Sequence, residues 1–250
     1  SGAGRLPEPV EIFALARRVL ARASTELPLD LAGRRIVVSA GGTREPLDPV
    51  RFLGNHSSGR QGYALAATAL ARGAEVTLVS AHVALADPAG AKVVLVGTAD
   101  ELRAAVLAAA SDADAVVMAA AVADFRPARS APSKIKKSAG AVPPIELVQN
   151  PDVLAELGRT RRPGQVLVGF AAETDDVLAN AGVKLAAKGA DLLVVNEVGP
   201  AKGFGTVDNA ATILGADGTS VEVPLGPKDA LADRVWDLVV ERLESQDASG

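Results

Sequence analysis

The stretch from Ile36 to Gly62, IVVSAGGTREPLDPVRFLGNHSSGRQG, decides how the rest of the chain is read. A β-branched run, Ile36-Val37-Val38, leads into a small-residue turn from Ser39 to Thr43. A polar loop follows, and Asn55-His56-Ser57-Ser58-Gly59 stands just before residues that are apolar at helical spacing, from Tyr63 to Ala71. The order is strand, glycine loop, second loop, helix. Glycines let the chain turn tightly, and the first turn of a helix carries unpaired N–H donors. Two sets of backbone N–H groups therefore converge on one place. The positive end of the helix dipole makes that place suited to an anion, a phosphate above all.

That phosphate is not held as in a dinucleotide fold or a P-loop. A dinucleotide site sets G-x-G-x-x-G directly between strand and helix, with an acidic residue closing the second strand. Here Gly41-Gly42-Thr43 is followed by a long insertion, and the second strand, 75–80, ends in Ser80. No G-x-x-x-x-G-K-[ST] run occurs either. The plainer alternative is that these glycines only make turns; the pairing of Asn55 with Ser57 and Ser58 ahead of a helix weighs against it.

Outward from this unit, strands are predicted over 35–39, 75–80, 92–96, 114–119, 165–170 and 191–195, with helices over 59–72, 99–110, 151–158 and 176–188 between them. Strands apolar throughout and separated by helices imply a parallel sheet covered on both faces. The expected class is α/β, a Rossmann-like, mostly parallel sheet with helices on both faces. Asn209–Leu214 and Ser220–Val223, about Ala216-Asp217-Gly218, predict a small β-hairpin, and 228–244 a closing helix. Residues 1–34, with one helical pattern from Val10 to Ala23, read as a linker outside the core, and 245–250 as a tail. The working domain is then 35–244.

Composition narrows the chemistry. With 250 residues, 48% of them hydrophobic, the chain can bury a full core. A net charge of −4 argues against nucleic-acid and membrane-surface partners. The absence of cysteine excludes disulfides, thiolate metal sites and a thiol nucleophile. Two histidines, His56 and His82, are too few for a multi-histidine metal centre. With neither a signal-peptide pattern nor an apolar run of membrane length, the expected location is the cytoplasm.

One segment breaks the alternation. Between Asp124 and Val148 lie Pro127, Pro132, Pro143 and Pro144 with Lys134, Lys136 and Lys137. Such a loop, about 126–147, cannot be a regular helix. It leaves the carboxyl end of a central strand, where open α/β sheets bind ligands, so its lysines are read as ligand contacts in preference to a solvated charge cluster. Other groups also close strands. Met118-Ala119-Ala120-Ala121 would let a flat base approach the backbone, and Asp124 offers a carboxylate to a ribose or a metal ion. Phe170 either stacks on a ligand or belongs to the core. Asn150-Pro151-Asp152 opens a helix with Asn150 as the expected cap. Lys184 and Lys188 share a helix face, for phosphates or for solvent. No catalytic triad can be assembled, and the set fits phosphoryl or nucleotidyl chemistry, where positioning and charge neutralisation do the catalysis.

SAGGTREPLDPVRFLGNHSSGRQG, AAAVADFRP, KIKK, NPD before a helix, VGFAAET and DLLVVNEV stand in this order along the chain. In this the chain resembles, from about Arg35 to Leu243, the phosphopantothenoylcysteine synthetases, the CTP-dependent bacterial phosphopantothenate–cysteine ligases of coenzyme A biosynthesis. The resemblance implies a Rossmann-like domain with a dimerisation subdomain and a homodimer with shared active sites. It implies no flavin in this part, and residues 1–34 as the tether to a flavin-dependent decarboxylase on the same polypeptide. The implied reaction has two steps. CTP, with Mg2+ or Mn2+, converts the carboxylate of 4′-phosphopantothenate to an acyl-cytidylate with release of pyrophosphate; the amine of L-cysteine then displaces CMP to give 4′-phosphopantothenoylcysteine.

By the same resemblance Asn55 orients groups in both half-reactions and contacts substrate together with Ala120. Lys134 closes over the activated intermediate, on a Ser-, Ala- and Gly-rich segment (130–140) expected to be disordered without ligand. Gly41, Gly42, Ser57, Ser58 and Gly59 form a phosphate cradle. Met118, Ala119, Ala120, Asp124, Pro151, Asp152, Val153, Leu154, Phe170, Lys184 and Lys188 bind nucleotide, Asp124 through a metal or the ribose. A short-chain dehydrogenase is the rival enzyme on fold alone, opposed by the glycine pattern, by Ser80 and by the position of Tyr63 in the first helix. A nucleotide-binding scaffold serving the decarboxylase is the non-enzyme rival.

Overall fold

Side chains alternate across a strand, and a strand apolar at every position must bury both faces. The computed structural model describes residues 29–136, 144–173, 177–197 and 208–248, with scattered helical positions between 9 and 20. Its elements in chain order are β1 (Arg35–Gly41), β2 (Arg44–Pro46), β3 (Phe52–Gly54), α1 (Arg60–Ala71), β4 (Glu75–Ala81), β5 (Lys92–Val96), α2 (Ala99–Ala110), β6 (Ala115–Met118), β7 (Phe125–Pro127) and β8 (Leu147–Gln149). Then come α3 (Val153–Thr160), β9 (Val166–Glu173), α4 (Val177–Lys188), β10 (Leu192–Glu197), β11 (Asp208–Gly215), β12 (Ser220–Pro227) and α5 (Lys228–Asp247).

Eight strands form one sheet in the order β12-β11-β10-β9-β6-β1-β4-β5. The six from β10 to β5 are parallel, and β11 and β12 extend them antiparallel. Ile36, Val38, Leu78, Val117, Val168 and Val194 face one core with residues of α1 and α5. There Trp236 is fully buried and its indole N–H donates to the Leu65 carbonyl at 3.0 Å. Val37, Val79, Val116, Leu167 and Leu193 face the other core with residues of α2, α3 and α4. The chain builds from β1 outward through β4 to β5, then crosses to β6 on the other flank of β1. The carboxyl ends of β1 and β6 therefore mark the point where strand order reverses, the place at which open α/β sheets form ligand crevices.

The hairpin over 209–223 is present, β11 pairing antiparallel with β12, and through β11 it also joins β10 and widens the main sheet. Independent antiparallel ribbons do exist, β2 with β3 and β7 with β8. Three-residue strands rich in polar and proline residues carry too little period-two signal to be seen in sequence. Two other expectations are corrected. The boundary at Arg35 falls too late. Leu31 is fully buried in the α1/α5 core, and Asp30 receives two hydrogen bonds from the buried Arg72 at 2.8 and 2.6 Å. Pro28 and Gly33, on either side of this short segment, hid a single apolar anchor. Finally, Asn150 is not the cap of α3. Asp152 is, its side chain accepting the Ala155 N–H at 3.0 Å. Among the described residues no helix is long and apolar enough to cross a membrane.

Candidate functional site

At the end of β1, Gly41 has φ +85, and a Cβ there would overlap the Ala81 carbonyl oxygen. Only glycine fits both demands. The next residues are zipped to the loop after β6: Ala121 N–H donates to Gly41 O at 2.8 Å, Thr43 N–H to Ala121 O at 3.2 Å, and Ala123 N–H to the buried Thr43 hydroxyl at 2.9 Å. Gly59, with φ +72, is the N-cap of α1 and brings no side chain; the first turn of that helix has no acidic residue either. Its leading N–H groups are thus left without a side-chain cap, beside Gly41 and Gly42, as an anion cradle requires. Ser57 accepts the Gly59 N–H at 3.3 Å, and Ser57 and Ser58 are exposed. Val83, from the loop after β4, roofs Gly41 and Gly59 so closely that a Cβ on either would strike it.

Beside this cradle a cavity of about 300 Å³ lies at the carboxyl ends of β6 and β9, against the N-terminus of α3. Of the sequence-predicted nucleotide set, Met118, Ala120, Asp124, Pro151, Asp152, Val153, Leu154, Phe170 and Lys188 line it. Ala119 does not, because alternation turns it to the α1/α5 core. Lys184 lies on α4, with its side chain outside the described residues. Phe170 is half-buried, touching both the core and the cavity. Gly41, Gly42, Ser57, Ser58 and Gly59 stand apart in the cradle.

Asn55 joins the two. Its Nδ2 donates to the carbonyl of Val122, a cavity-lining residue, at 3.2 Å, while its own carbonyl lies where a Cβ on Gly42 would be 2.9 Å away. Gly42→Ala is accordingly expected to fold but to displace Asn55, lowering turnover by roughly 10- to 100-fold. An unchanged rate at an unchanged thermal midpoint would refute that placement of Asn55. Lys134 and Lys136 are exposed, on a segment tied to the turn between β2 and β3; neither lines the cavity. Lys137 lies outside the described residues, as do 138–140, the end of the stretch (130–140) for which disorder was expected; 130–136 are described, with Ala131 N–H bonded to Leu47 O and Ile135 N–H to Asp48.

Sequence reading missed several wall residues. Val122, Ala123, Gln149, Ala171 and Leu193 also line the cavity. Their place follows from β6, β9 and β10 being neighbours, which no local pattern reveals. Asn150 was singled out for the wrong reason. It is buried, donates from Nδ2 to Ala123 O at 2.7 Å and accepts from Arg126 at 2.6 Å, so it stitches the β7–β8 ribbon to the cavity wall.

Asp152 has two tasks: one carboxylate oxygen caps α3, and the other pairs with Lys188. Burial pushes its pKa up, but the Lys188 ammonium and the Ala155 N–H outweigh this and leave it below the ordinary value of 3.8. A folded value below the unfolded one stabilises fully above the unfolded pKa and loses that contribution as pH falls through the folded one. The thermal midpoint should therefore drop below about pH 3.8, and Asp152→Asn should flatten the drop. A variant with the same acid slope as the parent would show that this pair contributes nothing.

Among the described residues no cluster of three or more metal-ligating side chains occurs. Asp124 and Asp152 are the cavity's two carboxylates, and Asp152 already has a cation. This donor set cannot cage a metal but fits one that arrives on phosphates and takes a single carboxylate, Asp124, from the protein.

The family model of the DNA/pantothenate metabolism flavoprotein C-terminal domain matches residues 31–243. The chain belongs to this family. Members similar to it include the coenzyme A biosynthesis bifunctional protein CoaBC of Mycobacterium tuberculosis, 53% identical over 96% of this chain and 60% of that protein. CoaBC of Bacillus subtilis is 44% identical over 91% of this chain and 55% of that protein. The chain thus spans about 60% of the length of the first of these relatives. Among solved structures, the C-terminal domain of a CoaBC protein superimposes with a TM-score of 0.75 at 38% identity, covering 86% of this chain and 98% of that one. A Cab2 variant in complex with phosphopantothenate-cysteine shares the fold at a TM-score of 0.69 and 18% identity, over 97% of this chain and 96% of that one. The family's flavoprotein C-terminal domain is thus a Rossmann-like α/β unit, and its match begins at the residue, Leu31, where the buried core begins.

Proposed function

We propose that this chain is the ligase unit that joins 4′-phosphopantothenate to L-cysteine with CTP, in coenzyme A biosynthesis. One observation carries the reading. A phosphate cradle at β1 and a base-sized cavity at β6 and β9 meet through the side chain of Asn55, in a family whose similar members are coenzyme A biosynthesis proteins. The two compartments suit two ligands that must be brought face to face. The cradle's N–H groups hold a phosphate, the cavity takes the nucleoside with Phe170 at its side, and Asn55 orients the substrate carboxylate between them. Lys134 and Lys188 offset charge on the phosphates.

No protein nucleophile is needed. The carboxylate of 4′-phosphopantothenate attacks the α-phosphorus, the bond to the β-phosphate breaks and pyrophosphate leaves. The amine of cysteine then attacks the acyl carbon, loses a proton, and CMP departs. Mg2+ or Mn2+ carried by the triphosphate supplies neutralisation of its charge, with Asp124 as the residue that would hold it or the ribose. The rest of the chain's work is positioning.

The same reading makes the protein a cytoplasmic homodimer, fused in its full-length form to a decarboxylase. What supports a second copy as partner is the set of exposed apolar side chains on the two ribbons, Phe52, Phe125, Leu147 and Val148, between 38% and 53% exposed. The scaffold reading predicts CTP binding without turnover. The deciding experiment is pyrophosphate release from CTP with 4′-phosphopantothenate and Mg2+, with and without cysteine, with ATP and GTP in parallel. Release that depends on phosphopantothenate, followed by CMP on adding cysteine, establishes the ligase. No release with any nucleotide from folded protein would favour the scaffold.

A further inference from the structure

We propose that Asp48 is a positioning residue for Lys134, gripping the peptide group beside the lysine and so fixing where its ammonium is presented. What Lys134 does rests on the ligase reading; the grip does not.

Asp48 lies in the turn between β2 and β3, in the run Glu45-Pro46-Leu47-Asp48-Pro49-Val50-Arg51. A carboxylate in a short surface turn is ordinarily solvated, yet this one is only 2% exposed. A buried carboxylate is costly unless its lone pairs are satisfied. Here they are. Oδ1 accepts the N–H groups of Val50 and Arg51, both at 2.8 Å. Oδ2 accepts the Ile135 N–H at 3.1 Å and pairs with the Arg51 guanidinium at 3.0 Å. Arg51 in turn donates to the Ile135 carbonyl at 2.6 Å, and Ala131 N–H donates to Leu47 O at 2.9 Å.

Residue 135 is therefore held at both its N–H and its C=O, one by each member of an ion pair. Closing the turn needs only Oδ1, and an asparagine oxygen would do that as well. Oδ2 is what requires a carboxylate, and it points to the lysine segment. Apolar packing does not explain the contact, since the Ile135 side chain is 46% exposed. The segment carrying Lys134 is thus fixed by polar contacts from this turn. Because misplacement of a catalytic group by about 1 Å costs on the order of 100-fold in rate, such a grip bears on turnover.

Asp48→Asn is the discriminating variant. Its Oδ1 keeps the turn, while its amide presents N–H groups to the Ile135 N–H and to Arg51, donor against donor. The expected result is an Ile135 amide that exchanges with deuterium at least ~10-fold faster and a kcat lower by roughly 10- to 100-fold, with KM values for CTP and 4′-phosphopantothenate held within about twofold and little change in thermal midpoint. A kcat equal to the parent's, or a fall in step with lost stability, overturns the proposal. The parent protein gives a second, variant-free check: the Ile135 amide should be protected at least ~10-fold over that of Lys136, which has no hydrogen bond among the described residues, and equal rates overturn the grip. If the parent shows no turnover with any nucleotide, the ligase reading falls while amide exchange still decides the grip.

Discussion

Asn55→Asp and Lys134→Gln are each expected to leave the fold intact and to reduce turnover by roughly 100- to 1,000-fold, the scale seen when one preorganised donor or charge is removed from a developing anion. Asn55 donates to the Val122 carbonyl at 3.2 Å. A carboxylate at that position places oxygen against oxygen, loses the donor, and adds a negative charge between the phosphate cradle and the cavity. Lys134→Gln keeps length and polarity but removes the cation from an exposed side chain, so its effect on stability should be small. Pyrophosphate release and CMP formation, measured separately, apportion the loss: Asn55→Asp should impair both half-reactions. Either variant turning over at the parent rate would remove that residue from the catalytic set.

Replacing Arg72 with methionine is expected to destabilise the protein by roughly 3–5 kcal/mol, the cost of removing one side of a buried ionic cluster. For a domain of this size that is a fall in thermal midpoint of roughly 6–20 °C. Arg72, at the end of α1, is 1% exposed. Besides its two bonds to Asp30 it donates to Asp237 at 2.8 Å and to the Asp233 carbonyl at 3.1 Å, both on α5. It thereby pins the segment at Asp30–Leu31, α1 and the closing helix together. Methionine fills the volume but leaves the carboxylates of Asp30 and Asp237, and that of Asp233, which lies 3.9 Å from the guanidinium, without their cation. Asp30→Asn should cost less, because Asp30 is a quarter exposed and Asp237 remains. Calorimetry decides it; a midpoint within about 2 °C of the parent would mean that solvent screens the cluster and that it does not pin these elements.

Much of this was legible before any coordinates because the signals are local. Ile36-Val37-Val38, Ala115-Val116-Val117 and Leu192-Leu193-Val194-Val195 are apolar at every step, which only a strand buried on both faces tolerates. Gly41 and Gly59 mark positive φ, a property of the residue itself. Asn150 shows the limit. The asparagine, proline and aspartate at 150–152 all suit a helix start, and sequence cannot say which one caps, because Asn150 is claimed by partners 24 and 27 residues away.

The sequence by itself determined the α/β class and the parallel core of the sheet, which follow from periodicity, and the positive-φ glycines Gly41 and Gly59, which follow from the steric needs of single residues; residues of the cavity wall such as Pro151, Val153 and Leu154 were named through resemblance to a known family. Only the tertiary structure decided the rest. It joined the hairpin to the main sheet, made Leu31 a core residue, set Asn55 between cradle and cavity, and hung the Lys134 segment on Asp48. Each of these is a contact between stretches far apart in the chain, and a hydrogen bond or ion pair at such separation leaves no period in the sequence from which to read it.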